Sequence, residues 1–230
     1  MVISVDTGNK HMKTENCEFN SGVEILDTLP GELEEVIEYE GKYYMTTNRR
    51  ISYMEDKTAD DRYYILTLFA IAKELSYREK NEGLLPQNLQ EIELLVGLPP
   101  AHYGKHRKKF REYFYRNGAV AEFCYKGISY RIVFKEVKVY IQAYAAYCLL
   151  AVKKQLSVIP KILLIDIDGF TVDYMVLRFG QLEMEYVDSL ENGVIRLYNS
   201  IKAAIRKKYS ILLDEEDIDN IILERGGCYK

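Results

Sequence analysis

Two short apolar strands in this chain each run into an acidic turn and back out again, and that repeated unit limits the possible folds more than any other feature. The later copy is the clearer one. Ile162-Leu163-Leu164-Ile165 is an uninterrupted apolar run bounded by turn residues, which reads as a buried strand. It leads into Asp166-Ile-Asp-Gly-Phe-Thr-Val-Asp173, and Tyr174–Leu177 returns as a second strand. The tip of such a hairpin presents backbone amides, a hydroxyl and carboxylates. Amides cradle phosphate, and carboxylates hold hydrated Mg2+. The earlier copy opens the chain: Val2–Val5 ends in Asp6, and Gly8-Asn9 supplies a turn because both residues tolerate positive φ. Lys13 sits on the return strand, within reach of an anion held at that turn. One Asp-x-Gly turn is ordinary. Two such units in this order predict two phosphate loops facing each other across a cleft.

Composition removes several classes. The chain has 230 residues, 48% hydrophobic and 29% charged, as a folded soluble protein does. A net charge of −4 gives no overall case for nucleic acid or a membrane surface. Cys17, Cys124, Cys148 and Cys228 are scattered without metal-site spacing, which argues against zinc and against a disulfide framework and fits a reducing cytoplasm. Asp6 and Lys10 interrupt the first apolar stretch, so it is not a secretory leader. The longest mostly apolar run, Val139–Val152, is too short to span a bilayer.

The remaining pattern alternates strands and helices. Residues 2–6 and 10–19 read as the first hairpin, and about 20–57 as a small, mostly β insertion. Ala59–Glu79 carries apolar residues at helical spacing, with Asp60 and Asp61 near its start. Gly83–Gln87 reads as a loop and Gln90–Val96 as a strand. Tyr103–Asn117 is a basic helix stopped by Asn117-Gly118. Strands at 119–125 and 128–139 flank a Lys126-Gly127 turn, and Gln142–Leu156 reads as a helix. A strand at 182–188 follows the second hairpin. Val194–Tyr209 is amphipathic, with Val194, Leu197, Tyr198, Ile201, Ala204 and Ile205 expected to face a core. Asp214–Leu223 is an acid-capped helix. The order predicts an α/β protein of two related halves, 1–155 carrying the insertion and 156–230, with mixed sheets covered by helices.

At this point the chain resembles the ParM/StbA-type actin-like ATPases of plasmid segregation, within the actin, sugar kinase and Hsp70 superfamily. Four places carry the resemblance. Asp6-Thr-Gly8-Asn9-Lys-His-Met-Lys13 looks like the first phosphate loop, and Val96-Gly-Leu-Pro-Pro-Ala-His-Tyr103 is similar to the family's Gly-Leu-Pro segment. Tyr140-Ile-Gln142-Ala-Tyr-Ala-Ala146 looks like the connection between the halves. Asp166–Asp173 looks like the second phosphate loop, and Ser189–Gly193 like the entry to the following helix. The resemblance implies an actin-like (ribonuclease H-like) fold with ATP and Mg2+ between the halves. It implies that Asp6 and Asp166 order the Mg2+ shell through water, that Lys13 offsets phosphate charge, and that Gly8 and Asn9 offer amides. Gln142 would position the attacking water, Gly169 and Thr171 would contact the terminal phosphate, and Asp173 would buttress the loop. The implied partners are the chain itself, in a filament, and a DNA-bound adaptor protein, with no direct nucleic acid contact and no membrane.

The chain departs from the family pattern in two ways. Asp168 stands where the second loop usually has Gly, and Phe170 where it has a small residue; a carboxylate about 4 Å from a phosphate would cost on the order of 1–4 kcal/mol. The Gly-rich adenosine loop and closing helix are also missing, since Gly226-Gly227 lack the flanking elements. The second half is therefore expected to be incomplete and to expose apolar surface. Other readings stay open: a non-catalytic or truncated relative that regulates filaments, a small-molecule kinase of the same fold, or a DNA-binding module on the basic segment Lys105–Lys109 with Arg111. That segment otherwise reads as a solvated helix face; in a polymerising family it would instead be a filament contact for an acidic stretch such as Glu32–Glu40 or Asp214–Asp219. His102 and His106 lie one helical turn apart with no third metal ligand in sequence. Arg196 and Lys202 are candidates for the ribose side of a nucleotide.

Overall fold

The computed structural model describes residues 1–28, 31, 35–52, 54–84 and 88–223. Part of the acidic stretch (Glu32–Glu34), the end of the 83–87 loop and the terminal Gly226-Gly227 lie outside the described residues. Among the described residues, twelve strands form two sheets. β1 (Val2–Thr7), β2 (His11–Lys13), β3 (Glu18–Asn20), β4 (Val23–Leu26), β5 (Val36–Tyr39), β6 (Lys42–Thr46), β7 (Gln90–Leu98), β8 (Val120–Tyr125) and β9 (Ile128–Ile141) make a nine-stranded sheet. Its order is β3-β2-β1-β7-β9-β8-β5-β6-β4, with β1, β7 and β9 parallel at the centre. β10 (Ile162–Ile167), β11 (Val172–Arg178) and β12 (Gln181–Leu190) form a separate antiparallel sheet.

The first helix, α1 (Arg62–Asn81), is the centre of the core. Along β1, Ile3, Val5 and Thr7 are buried, while Val2, Ser4 and Asp6 face the other way. This period-2 alternation turns the apolar edge to the core cluster shared with α1 and Asp6 to the opposite face. Gln90, Ile92, Leu94, Val96 and Leu98 do the same in β7. α2 (Pro100–Tyr115) begins with Pro at its first position, where a missing N–H costs nothing. α3 (Tyr144–Lys154) bridges to the smaller sheet, and α4 (Val194–Tyr209) and α5 (Glu215–Ile222) follow it.

Several expectations are refined. The return strand of the first hairpin splits into β2 and β3, because Thr14 and Cys17 close a turn between them (Thr14 N to Cys17 O 2.8 Å). α1 starts at Arg62 rather than Ala59, since the Asp60 carboxylate takes the Arg62 amide (3.0 Å) and ends the loop there. The mostly β insertion joins the main sheet, where β5 pairs with β8. Gln142 lies between β9 and α3, not inside a helix. The greatest difference is α4. Its bounds are as read, but only Ile195 and Tyr198 are buried, and Leu197 is 53% exposed. A sheet of three strands does not offer surface enough to cover the whole face. The expected apolar exposure in the second half is present: Leu163, Ile165 and Ile167 on one face of β10 are each more than half exposed.

Candidate functional site

The two acidic turns meet. A cleft of about 770 Å³ opens between the end of β1 and the β10–β11 hairpin, and its walls include Asp6, Lys13, Gly97, Gln142, Asp166 and Asp168. The first loop, Thr7–Lys10, has its acceptors tied back. The Thr7 carbonyl accepts from the buried Lys57 ammonium, and the Gly8 carbonyl from the Ser21 hydroxyl at 2.7 Å. The Asn9 Oδ1 accepts from the Tyr63 hydroxyl at 3.0 Å. Gly8 does not take positive φ; its glycine is required because a Cβ would stand 2.5 Å from the His11 carbonyl oxygen.

The second loop is held by the same logic with different donors. The carbonyls of Asp168, Gly169 and Phe170 accept from the amides of Val194, Ile195 and Gly193 at 3.0, 2.9 and 2.9 Å. Those amides open α4 and have no partner within the helix, so loop and helix satisfy each other. A Cβ on Gly193 would lie 2.4–2.5 Å from backbone atoms of Asp168, Gly169 and Phe170, which leaves no room for a side chain. Gly169 lets the two loops touch: a Cβ there would be 3.1 Å from the Lys10 Cβ. With these carbonyls occupied, the repulsion an anion meets between the loops comes chiefly from carboxylates, Asp168 among them.

Gln142 is set over the cleft floor. Its side chain lies across Gly97, where a Cβ would fall 2.7 Å from the Gln142 Cγ, and its Nε2 donates to Asp6 Oδ1 at 2.9 Å. The next residue, Ala143, takes φ 63° and ψ −37°, and the Tyr144 amide donates back to the Gln142 carbonyl at 2.7 Å. A non-glycine residue in that conformation is strained, and such strain concentrates at working sites.

The electrostatics are dominated by carboxylates. Desolvation at the cleft floor raises the Asp6 carboxyl, with Lys57 opposing and Asp168 adding. Asp6 is deeply ringed by protein, yet the open cleft admits water to it, so this rise is far from a full burial cost. Asp166 is raised by desolvation and by Asp168. Asp173, 2% exposed and paired across the hairpin with Asp166, is pushed up to about 6 by burial, with Ser189 and Thr171 opposing. The Thr171 hydroxyl is buried without a well-formed hydrogen bond, though near enough to Asp173 to moderate that rise.

Asp6, Lys13, Gln142 and Asp166 therefore come together around one space, with Gly8, Asn9, Gly169, Thr171 and Asp173 forming the loops behind it. Lys13 is half exposed and lies 3.8 Å from Glu18. Arg196 and Lys202 are not on the cleft; Arg196 bonds Asn192 (2.6 Å) and Lys202 lies 3.9 Å from Glu215. Sequence reasoning missed Lys57, Ser21 and Tyr63, which carry no motif. It also missed the ion pairs across a second hollow beside the loops, Arg50–Glu215 at 2.5 Å and Lys10–Asp219 at 3.2 Å, where Phe170 packs 5.6 Å from Arg50. The basic helix α2 spends charge inside the chain, Lys105 on Glu55 and Lys109 on Asp56, as a solvated face does.

The residues present fit a phosphate with a hydrated cation. The carbonyls of Thr7, Gly8, Asp168, Gly169 and Phe170 are occupied, and Lys13, Asp6 and Asp166 line the same cleft. Among the described residues no group of three His, Cys, Asp or Glu side chains is arranged to hold a metal ion directly. Among them, too, no helix is long and apolar enough to cross a membrane.

The two acidic turns face each other, with Gln142 between β9 and α3 beside them, and the fold is actin-like. The chain belongs to the actin-like protein family: the model of the actin-like proteins' N-terminal domain matches residues 4–144. A search of curated proteins finds no match. Among solved structures, the chain is similar to Ta0583, an archaeal actin homologue determined in complex with ADP (TM-score 0.73, 15% identity, 93% of this chain and 67% of that one). It is similar to the ParM of a 15-stranded filament from Clostridium botulinum (TM-score 0.72, 18% identity, 100% and 75%). It is also similar to AlfA from the B. subtilis plasmid pLS32, in a filament (TM-score 0.62, 15% identity, 96% and 88%). At these identities the likeness is one of fold.

Proposed function

We propose that the cleft binds ATP with Mg2+ and that nucleotide-dependent self-association into filaments is what this chain does, in the service of plasmid or mobile-element DNA segregation through a DNA-bound adaptor. The observation that carries the nucleotide reading is the tying back of both loops, by Lys57, Ser21 and Tyr63 on one side and by the start of α4 on the other. The ADP complex of the archaeal homologue and the ParM and AlfA filaments support it from the fold.

In this reading Gly8 and Asn9 offer amides to phosphate oxygens, and Gly169 and Thr171 do so from the opposite side. Asp6 and Asp166 each hold a water of the metal shell, and Lys13 offsets phosphate charge. Magnesium, when bound, neutralises charge on the phosphates. Gln142, its carboxamide fixed by Asp6, is placed to orient a water for attack. Asp173 supports the second loop from behind. The cytoplasm is the compartment this chemistry implies. Asp168 favours a second reading, a relative that binds filaments without turning nucleotide over, because its carboxylate stands on the cleft wall where phosphate charge would gather.

Light scattering and pelleting of the purified chain, with and without Mg-ATP, test the assembly reading. Scattering that rises with Mg-ATP and decays as ATP is consumed is the expected result. A chain that stays in the supernatant at all nucleotide concentrations, yet pellets with a polymerising relative, would shift the assignment to the regulator.

A further inference from the structure

The core helix α1 carries a carboxylate, Glu74, that is 0% exposed. A charge buried that far persists only where donors answer it. Four hydrogen bonds do so, and three of them come from one turn. The Thr14 hydroxyl (2.7 Å) and the Asn16 amide (3.2 Å) reach one carboxylate oxygen, and Asn16 Nδ2 (2.9 Å) and Arg78 Nε (2.7 Å) reach the other. Within the turn, Thr14 Oγ1 accepts from the Cys17 amide at 3.0 Å. Residues 14–17 join β2 to β3, so the core helix grips the outer end of the first hairpin.

That end forms part of the cleft wall, where Lys13, Thr14 and Glu15 all stand. Lys13 pairs across the ladder with Asp6, which puts both side chains on the same face of the hairpin. β2 has three residues, so its ladder alone does little to fix the chain beyond Lys13. Arg78 extends the grip: its Nη1 donates to the Val2 carbonyl and its Nη2 to Glu15, each at 3.2 Å. The carboxylate that the turn adds to the cleft wall is thus answered by a guanidinium that Glu74 holds.

We propose that Glu74 is a positioning residue for the phosphate site: it fixes the 14–17 turn on α1, and through that turn it sets where Lys13 and Glu15 stand at the cleft. This rests on the nucleotide reading above. Glutamine at this position keeps one acceptor but turns an NH2 group toward donors of Asn16, Thr14 or Arg78, so it loosens the turn without emptying the site.

A double-mutant cycle with a second readout tests the proposal. Glu74→Gln, Lys13→Ala and the double variant are titrated with Mg-ATP by calorimetry, and hydrogen exchange is measured without nucleotide. Glu74→Gln should raise Kd roughly tenfold in the parent and less than about twofold once Lys13 is Ala, because the two changes remove the same contact. In Glu74→Gln the Asn16 and Cys17 amides should exchange roughly tenfold faster relative to the amides of α1, whereas a general loss of stability would quicken both alike. Equal losses of affinity in the two backgrounds, or a Kd unchanged by Glu74→Gln, would overturn the proposal. If the parent binds no Mg-ATP, the nucleotide reading fails and the phosphate role with it, while exchange still decides whether Glu74 holds the turn. Should Glu74→Gln not fold, Asn16→Asp sets a second carboxylate against Glu74 from the surface, and its cycle with Lys13→Ala carries the same two expectations.

Discussion

Asp173 is a carboxylic acid almost without access to water, and its pKa of about 6 follows from that. The sign of the consequence is fixed by linkage: a carboxyl whose folded pKa lies above its unfolded value of 3.8 favours the folded state when protonated. Its support is fully present below the unfolded value and is lost as pH rises through about 6. Asp173→Asn, which is neutral throughout, should therefore gain on the parent between pH 4 and pH 7, by about 3 kcal/mol at 1.36 kcal/mol per pKa unit. Urea unfolding of both chains across that range checks it, and a constant difference would show that Asp173 does not titrate there. Gly193 is the second residue with a sharp consequence. A methyl group there collides with three backbone atoms rather than with a movable side chain. Gly193→Ala should cost about 1–3 kcal/mol or displace the second loop, read as a lower thermal midpoint and weaker nucleotide binding. Neither need was visible as a backbone angle: Gly193 and Gly8 are required by close approach, and only the fold reveals what approaches.

At the scale of elements, α5 shows how local chemistry serves the hollow beside the loops. Asp214 caps it in both directions, its carboxylate taking the Asp217 amide at 2.8 Å while Asp217 takes the Asp214 amide at 2.9 Å. That cap starts the helix whose Glu215 and Asp219 reach Arg50 and Lys10. Asp214→Ala should cost about 1 kcal/mol and speed exchange of the α5 amides, measured by hydrogen exchange; unchanged protection would show that the helix is held by its packing alone. This cap was legible in sequence, as were the bounds of α4, because caps are written within a few residues; α2 instead stops at Tyr115, two residues before Asn117, with Arg116 in the left-handed cap conformation. The buried face of α4 was not legible. Its apolar stripe is real, but how much of it is covered depends on the three strands beneath, not on the helix. The pairing of β5 with β8 was hidden for the same reason, since nothing local records a partner that lies about eighty positions further along the chain.

For the whole molecule, the organising fact is two acidic turns brought face to face. That much followed from the sequence, because each turn ends an apolar strand with a carboxylate and a glycine, and the two carboxylates, Asp6 and Asp166, line the cleft between them. What did not follow is how the turns are held. The donors behind the first loop come from three places, Ser21 near β3, Lys57 in an irregular segment and Tyr63 on α1, and only folding collects them. The central claim is that this collected cleft takes a nucleotide. Calorimetric titration of Mg-ATP into the chain, with Asp6→Ala alongside, tests it most directly. Saturable binding to one site, weakened roughly tenfold or more by Asp6→Ala, is the expected result. Absence of binding to the parent chain, or equal binding by both, would contradict it.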